Sequence, residues 1–231
     1  MAARAVLKAV ESDLFALDDD INAILKTWKL PESEWTGNRP VTPRTLASHT
    51  SGTGDGFGFP GYDPDDPIPT PEQILNGEAP SNVGPVEVVR PPMTAFHYSG
   101  GDVTLMQKAL TDAVGRPFRD YVEEVVLQAV GMTQSTFEQP VSPERDRNAT
   151  RAHDYRGRSM GPKWHVYPEL AAAGLWTTPT DLAKFAIQVQ KSLHGEANHV
   201  LSQTSISEML NLVGVGDYAV GFMMAKQGQG W

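Results

Sequence analysis

Apolar residues recur at helical spacing in several separate blocks of this chain, and Gly- and Pro-rich stretches divide the blocks from one another. Residues 5–11 carry Val6, Leu7 and Val10 on one helical face with no capping residue ahead, so they read as the tail of a longer element. Asp18, Asp19 and Asp20 precede Ile21, Ile24 and Leu25; aspartate at a helix start accepts free amides and suits the positive dipole end, which predicts an N-cap. Thr42 and Pro43 open a short helix, with Thr42 as cap, Pro43 in the first turn and Gly52 as the expected stop. Residues 52–92 turn to Gly, Pro, Asp and Asn, with one helical turn at 71–77; so long a loop within a compact domain is commonly functional, and it reads as the wall of a site.

The second half repeats the alternation. Pro91-Pro92 gives an extended approach to Phe96-His97-Tyr98-Ser99-Gly100-Gly101-Asp102, a tight turn that feeds a helix over residues 103–115. A second helix spans 116–127, with Pro117 near its start and Gly131 as its stop. Farther on, Thr178 or Thr180 caps a helix with Pro179 or Asp181 in its first turn, and another helix is expected at 203–212. Residues 218–224 read as a strand, which needs partners to be stable, and residues 228–231 as a turn.

Composition narrows the classes of function. The 231 residues suffice for one large domain or two small ones, and 40% hydrophobic content supports a core. With 19 Lys+Arg against 28 Asp+Glu the net charge is −9, and no basic run exists, so nucleic-acid and anionic-membrane partners are disfavoured and an uncharged or cationic small molecule fits better. No apolar stretch reaches the roughly 18 residues of a membrane span, and the N-terminal residues form no apolar signal core. The absence of cysteine excludes disulfides, thiol catalysis and thiolate-bound zinc, and leaves the compartment open. Nothing in the sequence calls for a metal or cofactor: the acidic run at 18–20 lacks the alternating spacing, central Gly and final Glu of a calcium loop.

Three stretches carry candidate chemistry. Tyr98-Ser99-Gly100 presents a phenol at the mouth of a helix. His49-Thr50-Ser51 places a base beside hydroxyls, but neighbours on a helix point in different directions, so His49 is given a structural role. Trp164, His165, Tyr167 and Glu169 crowd together as either a binding surface or a piece of core.

Leu14 to Asp20, Thr45-Leu46-Ala47-Ser48-His49-Thr50-Ser51-Gly52, Tyr98-Ser99-Gly100-Gly101, Leu127 to Phe137, Ala172 to Phe185 and Val200-Leu201-Ser202 follow one another in the order and approximate spacing of a known family. Together they resemble the serine beta-lactamase-related hydrolases, which include class C beta-lactamases, D-alanyl-D-alanine carboxypeptidases and related esterases. The resemblance implies an α+β, beta-lactamase/transpeptidase-like fold, with residues 1–231 as a single incomplete domain holding mostly the helical subdomain and part of the antiparallel sheet. It implies an acyl-enzyme mechanism without cofactor on a small-molecule ester, amide or lactam. Tyr98 matches the family's proton-transfer tyrosine. Gly100 stands where the family carries asparagine, which removes a substrate-gripping amide and turns the expectation toward esterase-type or unassigned hydrolysis and away from efficient lactam turnover. Ala173 and Gly174 would form an open edge of the pocket, with Trp164 and Tyr167 as further substrate contacts.

The family's nucleophile motif is not matched: no Ser has Lys three residues later, and there is no Gly-x-Ser-x-Gly. The resemblance places Ser-x-x-Lys upstream of Met1 and the Lys/His-x-Gly strand beyond Trp231, so these residues alone are expected to be inactive. Two other readings compete: a non-catalytic binding or scaffold module using the 52–92 loop and the Trp164–Tyr167 cluster, and a truncated pseudoenzyme. Oligomeric state is not legible, nor is compartment, since members of the family are often periplasmic or secreted and some are cytoplasmic.

Overall fold

Helix α5 (Gly100–Val114) passes through the middle of the molecule and organises what surrounds it. The structure, a computed structural model, describes residues 1–54, 58–196 and 200–225. In chain order the helices are α1 (Ala2–Glu11), α2 (Ile21–Ile24), α3 (Pro43–Ala47), α4 (Pro71–Asn76), α5, α6 (Phe118–Val122) running into a π-helical turn (Glu123–Gln128), α7 (Pro143–Asp146), α8 (Leu170–Ala173), α9 (Pro179–Leu193) and α10 (Gln203–Leu210). Helices α1 to α4, α6 and α8 all pack on α5.

That central position explains an unusual composition. Besides Leu105, Met106, Ala109 and Leu110, α5 buries Asp102, Thr104, Gln107, Lys108 and Asp112. Buried polar groups persist only where they are partnered, and here the partners lie on neighbouring segments. Gln107 Nε2 donates to the Pro168 carbonyl at 3.0 Å while its Oε1 accepts the Ala171 amide at 2.8 Å, which clamps α8 to α5. Lys108 Nζ reaches Asp112 at 2.8 Å and Glu72 of α4 at 3.0 Å, and donates to the Thr27 hydroxyl. Asp112 in turn accepts the amides of Lys26 and Thr27 at 2.7 and 3.1 Å, holding the chain just after α2.

Helix ends follow the capping rules. Asp20 accepts the Asn22 amide, Thr42 and Thr70 each form a reciprocal capping box, and Thr178, not Thr180, caps α9 with Pro179 in its first turn. One expected stop moves: α3 ends at Ala47, well before Gly52, because the chain turns at His49 with φ +57°. From there residues 49–54 run beside 87–97, joined by Gly54 N–H to Glu87 O, Val89 N–H to Gly52 O, Met93 N–H to Thr50 O and His97 N–H to His49 O.

The strand expected at 218–224 is not formed. Tyr218 and Met223 make an isolated bridge, and the Ala219 amide donates to the Phe222 carbonyl at 2.8 Å, so the segment folds back on itself. Gly221 allows this with φ +85°, and a Cβ there would sit 2.3 Å from the Ala3 Cβ. Among the described residues strand pairing is confined to isolated antiparallel bridges such as Thr53↔Val88 and Tyr62↔Val166. The turn expected at 228–231 lies outside the described residues. One apolar core joins α1, α5, α6 and α10 and extends to Val220.

Candidate active site

Tyr98 precedes Ser99, whose side-chain oxygen accepts the Asp102 amide at 2.8 Å and caps α5. The serine of the tripeptide is therefore a buried helix cap, and the tyrosine beside it, 36% exposed, projects at the rim of a cavity of about 220 Å³. His49, Gly100, Phe59, Tyr218 and the three alanines of α8 share that lining. Arg4 of α1 completes one side; its Nη1 has no hydrogen-bond partner among the described residues, and its guanidinium lies 5.3 Å from the centre of the Phe185 ring. Burial lowers the pKa of Arg4 to about 10, against the opposing attraction of Glu11.

The Tyr98 turn is held from the side by His49. The His49 carbonyl accepts the His97 amide at 2.9 Å, and its ring Nδ1 accepts the Ser99 amide at 3.3 Å, so both amides flanking Tyr98 end on one residue. The two rings lie 4.5 Å apart, and Tyr218 meets the imidazole edge-on at 5.0 Å. Behind them Asp102 is fully buried, its Oδ1 accepting Ser51 Oγ at 2.5 Å and Thr53 Oγ1 at 2.9 Å. Burial raises the Asp102 pKa, outweighing the contacts from His49, Ser51 and Thr53 that favour the carboxylate. Tyr218 is raised too, first by burial and then by the neighbouring Tyr98.

The candidates named from sequence separate into two groups. Tyr98, Gly100 and Ala173 line the same cavity. At Gly100 a Cβ would come within 2.7 Å of the Phe59 ring, so the volume an asparagine side chain would need is taken by an aromatic from the 52–92 loop. Trp164 and Tyr167 line an adjoining cavity of about 310 Å³ that shares Ala173 with the first. The Trp164 indole N–H is engaged by Asp146 at 2.7 Å. Gly174 serves α8 packing, since a Cβ there would approach the Leu170 Cα to 2.6 Å. A larger hollow of about 560 Å³ lies among residues 133–150 and 176–179 and contains none of the sequence-selected residues.

Three roles near the site are not legible in the sequence: His49 as a site wall, Asp102 as the buried carboxyl behind it, and Glu169 as a buried carboxyl in front of α8. Glu169 precedes α8, is completely buried, and has no hydrogen-bond partner for either carboxylate oxygen among the described residues. Burial lifts its pKa to about 7, against a weaker pull from its own main-chain amide. The available signal is a charged residue inside an otherwise apolar pattern, as with Asp102 two residues beyond Gly100. Among the described residues no group of three or more His, Asp or Glu could hold a metal ion, and no helix is long and apolar enough to cross a membrane.

The cavity offers a phenol at its rim, an imidazole packed on that phenol, and a wall of alanines. Phenol and imidazole are both groups that can pass a proton to or from a bound molecule. Several solved structures share the fold. A penicillin-binding protein from Bacillus halodurans matches with TM-score 0.69 and 21% identity, over 95% of this chain and 64% of its own. The octameric penicillin-binding protein homologue from Pyrococcus abyssi matches at 0.66 and 23%, over 95% and 50%. The D-amino acid amidase from Ochrobactrum anthropi SV3, solved in complex with L-phenylalanine, matches at 0.67 and 21%, over 90% and 55%. The chain thus spans half to two thirds of the length of these proteins. Comparison with curated protein sequences finds no match. The architecture is beta-lactamase/transpeptidase-like, mostly helical with little strand, and since the family model described as Beta-lactamase matches residues 1–231, the chain belongs to the beta-lactamase family.

Proposed function

We propose that the protein is a serine hydrolase that works through an acyl-enzyme on a small ester, amide or lactam, with Tyr98 as its proton-transfer residue. The observation that carries this reading is the Tyr98 phenol at the rim of the 220 Å³ cavity, on a turn fixed to the buried N-terminus of α5. Family membership and the fold it shares with penicillin-binding proteins and an amidase support the reaction class. A serine hydroxyl is a weak nucleophile until a neighbouring base takes its proton, and a phenol in a partly desolvated site can relay that proton to the leaving group. No Ser-x-x-Lys occurs in the 231 residues, which span half to two thirds of the length of the solved structures they match, and the proposal takes the nucleophile from flanking sequence. Phe59 in the space of the absent asparagine side chain supports esterase-type or unassigned hydrolysis over efficient lactam turnover. Ala173 borders the acyl pocket, and Trp164 and Tyr167 border its extension.

The test is nitrophenyl ester hydrolysis by the protein expressed with its flanking coding sequence. Tyr98→Phe should lower kcat by about 10²- to 10⁴-fold, the range for loss of a positioned acid or base. The 231 residues alone should turn over ester no faster than their own Tyr98→Phe variant. Tyr98-dependent turnover by the 231 residues, with covalent labelling of one of their serines, would refute the placement of the nucleophile. Saturable ligand binding with no chemical change in the longer protein would favour a binding module instead.

A further inference from the structure

We propose that His49 is the positioning residue of the Tyr98 turn, acting through a neutral ring whose unprotonated Nδ1 accepts the Ser99 amide. The catalytic significance of that turn rests on the hydrolase reading above; the geometry of the pairing does not. An imidazole nitrogen offers either one lone pair or one hydrogen, never both. The Ser99 amide, 3.3 Å away, occupies the Nδ1 lone pair, so the ring hydrogen sits on Nε2. The His49 carbonyl takes the other flanking amide, from His97. A residue in the left-handed region at φ +57° brings both acceptors to the same turn, which a helical continuation of α3 would not.

A second observation points the same way. Asp102 Oδ2 lies 3.6 Å from Nδ1, is buried, and has no hydrogen-bond partner among the described residues, although Oδ1 of the same carboxyl receives two hydroxyls. A hydrogen at Nδ1 would make that atom a donor, directed at Asp102, and would remove its contact with the Ser99 amide, so the tautomer decides whether the ring or only the His49 carbonyl holds the turn. Asp102, Tyr98 and Tyr218 are the titratable groups packed around the ring, and Arg4 stands on the same cavity wall.

The experiment is nitrogen-detected NMR of the imidazole rings together with amide hydrogen exchange on the 231-residue chain. At pH 8 His49 should show a bare Nδ1 and a protonated Nε2. Ser99 amide protection should fall about tenfold in His49→Ala, the scale of one lost hydrogen bond, and stay within about twofold of wild type in His49→Asn. Asparagine tolerates left-handed backbone and places an acceptor oxygen near the Nδ1 position. A hydrogen on Nδ1 at pH 8, or equal Ser99 protection in His49→Ala and wild type, would overturn the proposal without needing any activity. In the longer protein, His49→Ala should lower kcat with KM nearly unchanged and His49→Asn should restore it. The exchange pattern without any ester turnover would sink the hydrolase reading and leave the positioning role standing.

Discussion

Glu169 is a carboxyl group at 0% exposure with neither oxygen hydrogen-bonded among the described residues, and its folded-state pKa near 7 lies above the ordinary value of 4.5. The folded protein therefore keeps a proton that the unfolded chain releases, and the stability this brings is complete below pH 4.5 and lost as pH rises through about 7. At 1.36 kcal/mol per pKa unit the full penalty is on the order of 3 kcal/mol. Glu169→Gln removes the charge and keeps the shape, so at pH 8 it should be more stable than wild type by about 1–3 kcal/mol in urea unfolding, and close to equal at pH 4. A stability difference independent of pH would show that Glu169 stays ionised in the fold. The same residue marks a limit of sequence reading. Tyr98 is legible because its tripeptide and the helix after it, Asp102 included, are contiguous, whereas His49 lies far upstream and meets the turn only through the pairing of 49–54 with 87–97. In sequence Glu169 is one member of the cluster with Trp164, His165 and Tyr167, and only its burial marks it as an unpartnered carboxyl.

At the scale of elements, α5 depends on polar contacts that its apolar periodicity conceals. Lys108 is 6% exposed, and its ammonium is balanced by Asp112 on the same helix and Glu72 on α4. Burial alone would raise the Asp112 pKa, but Lys108 and the amides of Lys26 and Thr27 bring it below the usual value. Its contribution is therefore present above the ordinary carboxylate pKa and is lost as pH falls through the lowered one, opposite in sign to Glu169. Asp112→Ala leaves a buried ammonium half-compensated and the Lys26 amide, the Thr27 amide and the Thr27 hydroxyl without their acceptor; it should cost about 2–4 kcal/mol at pH 7. Lys108→Met in the same background should recover part of that loss, and a double-mutant cycle in urea gives the coupling directly. Helix starts are readable from sequence because Asp20, Thr42, Thr70 and Thr178 act locally. The end of α3 and the supposed strand at 218–224 are not, because each is decided by distant contacts: residues 49–54 pair with 87–97, and Gly221 donates its amide to the Ala47 carbonyl and packs on Ala3.

Across the whole molecule, burial is distributed unevenly, and this sets where the structure should open first. The apolar core draws on α1, α5, α6, α9 and α10, while α7 buries nothing and no residue from 142 to 165 is buried. That segment is held by exposed polar contacts: Asp146 gathers Arg151, Lys163 and Trp164, and Asp154 pairs with Arg158. Surface ion pairs contribute little, typically below about 1 kcal/mol each, whereas regions with many buried apolar contacts open only near the global unfolding free energy. The segment should therefore open locally while α5 stays closed. It also carries Arg145, Arg147, Arg151, Arg156, Arg158 and Lys163, so brief trypsin digestion under native conditions should cut there before it cuts at exposed Lys26 or Arg39. The products should remain associated in gel filtration, because α6 on one side of the cut and α9 and α10 on the other contribute to the same core. Amides of 147–160 should exchange at least about a hundredfold faster than those of 105–110 in α5. Primary cleavage elsewhere, or equal protection of the two stretches, would mean that stability here does not follow buried apolar area. If the order holds, the adjoining cavity lined by Trp164 and Tyr167 can widen without disturbing the helix that carries the Tyr98 turn, since the Gln107 clamp at Pro168 and Ala171 divides the opening segment from the core.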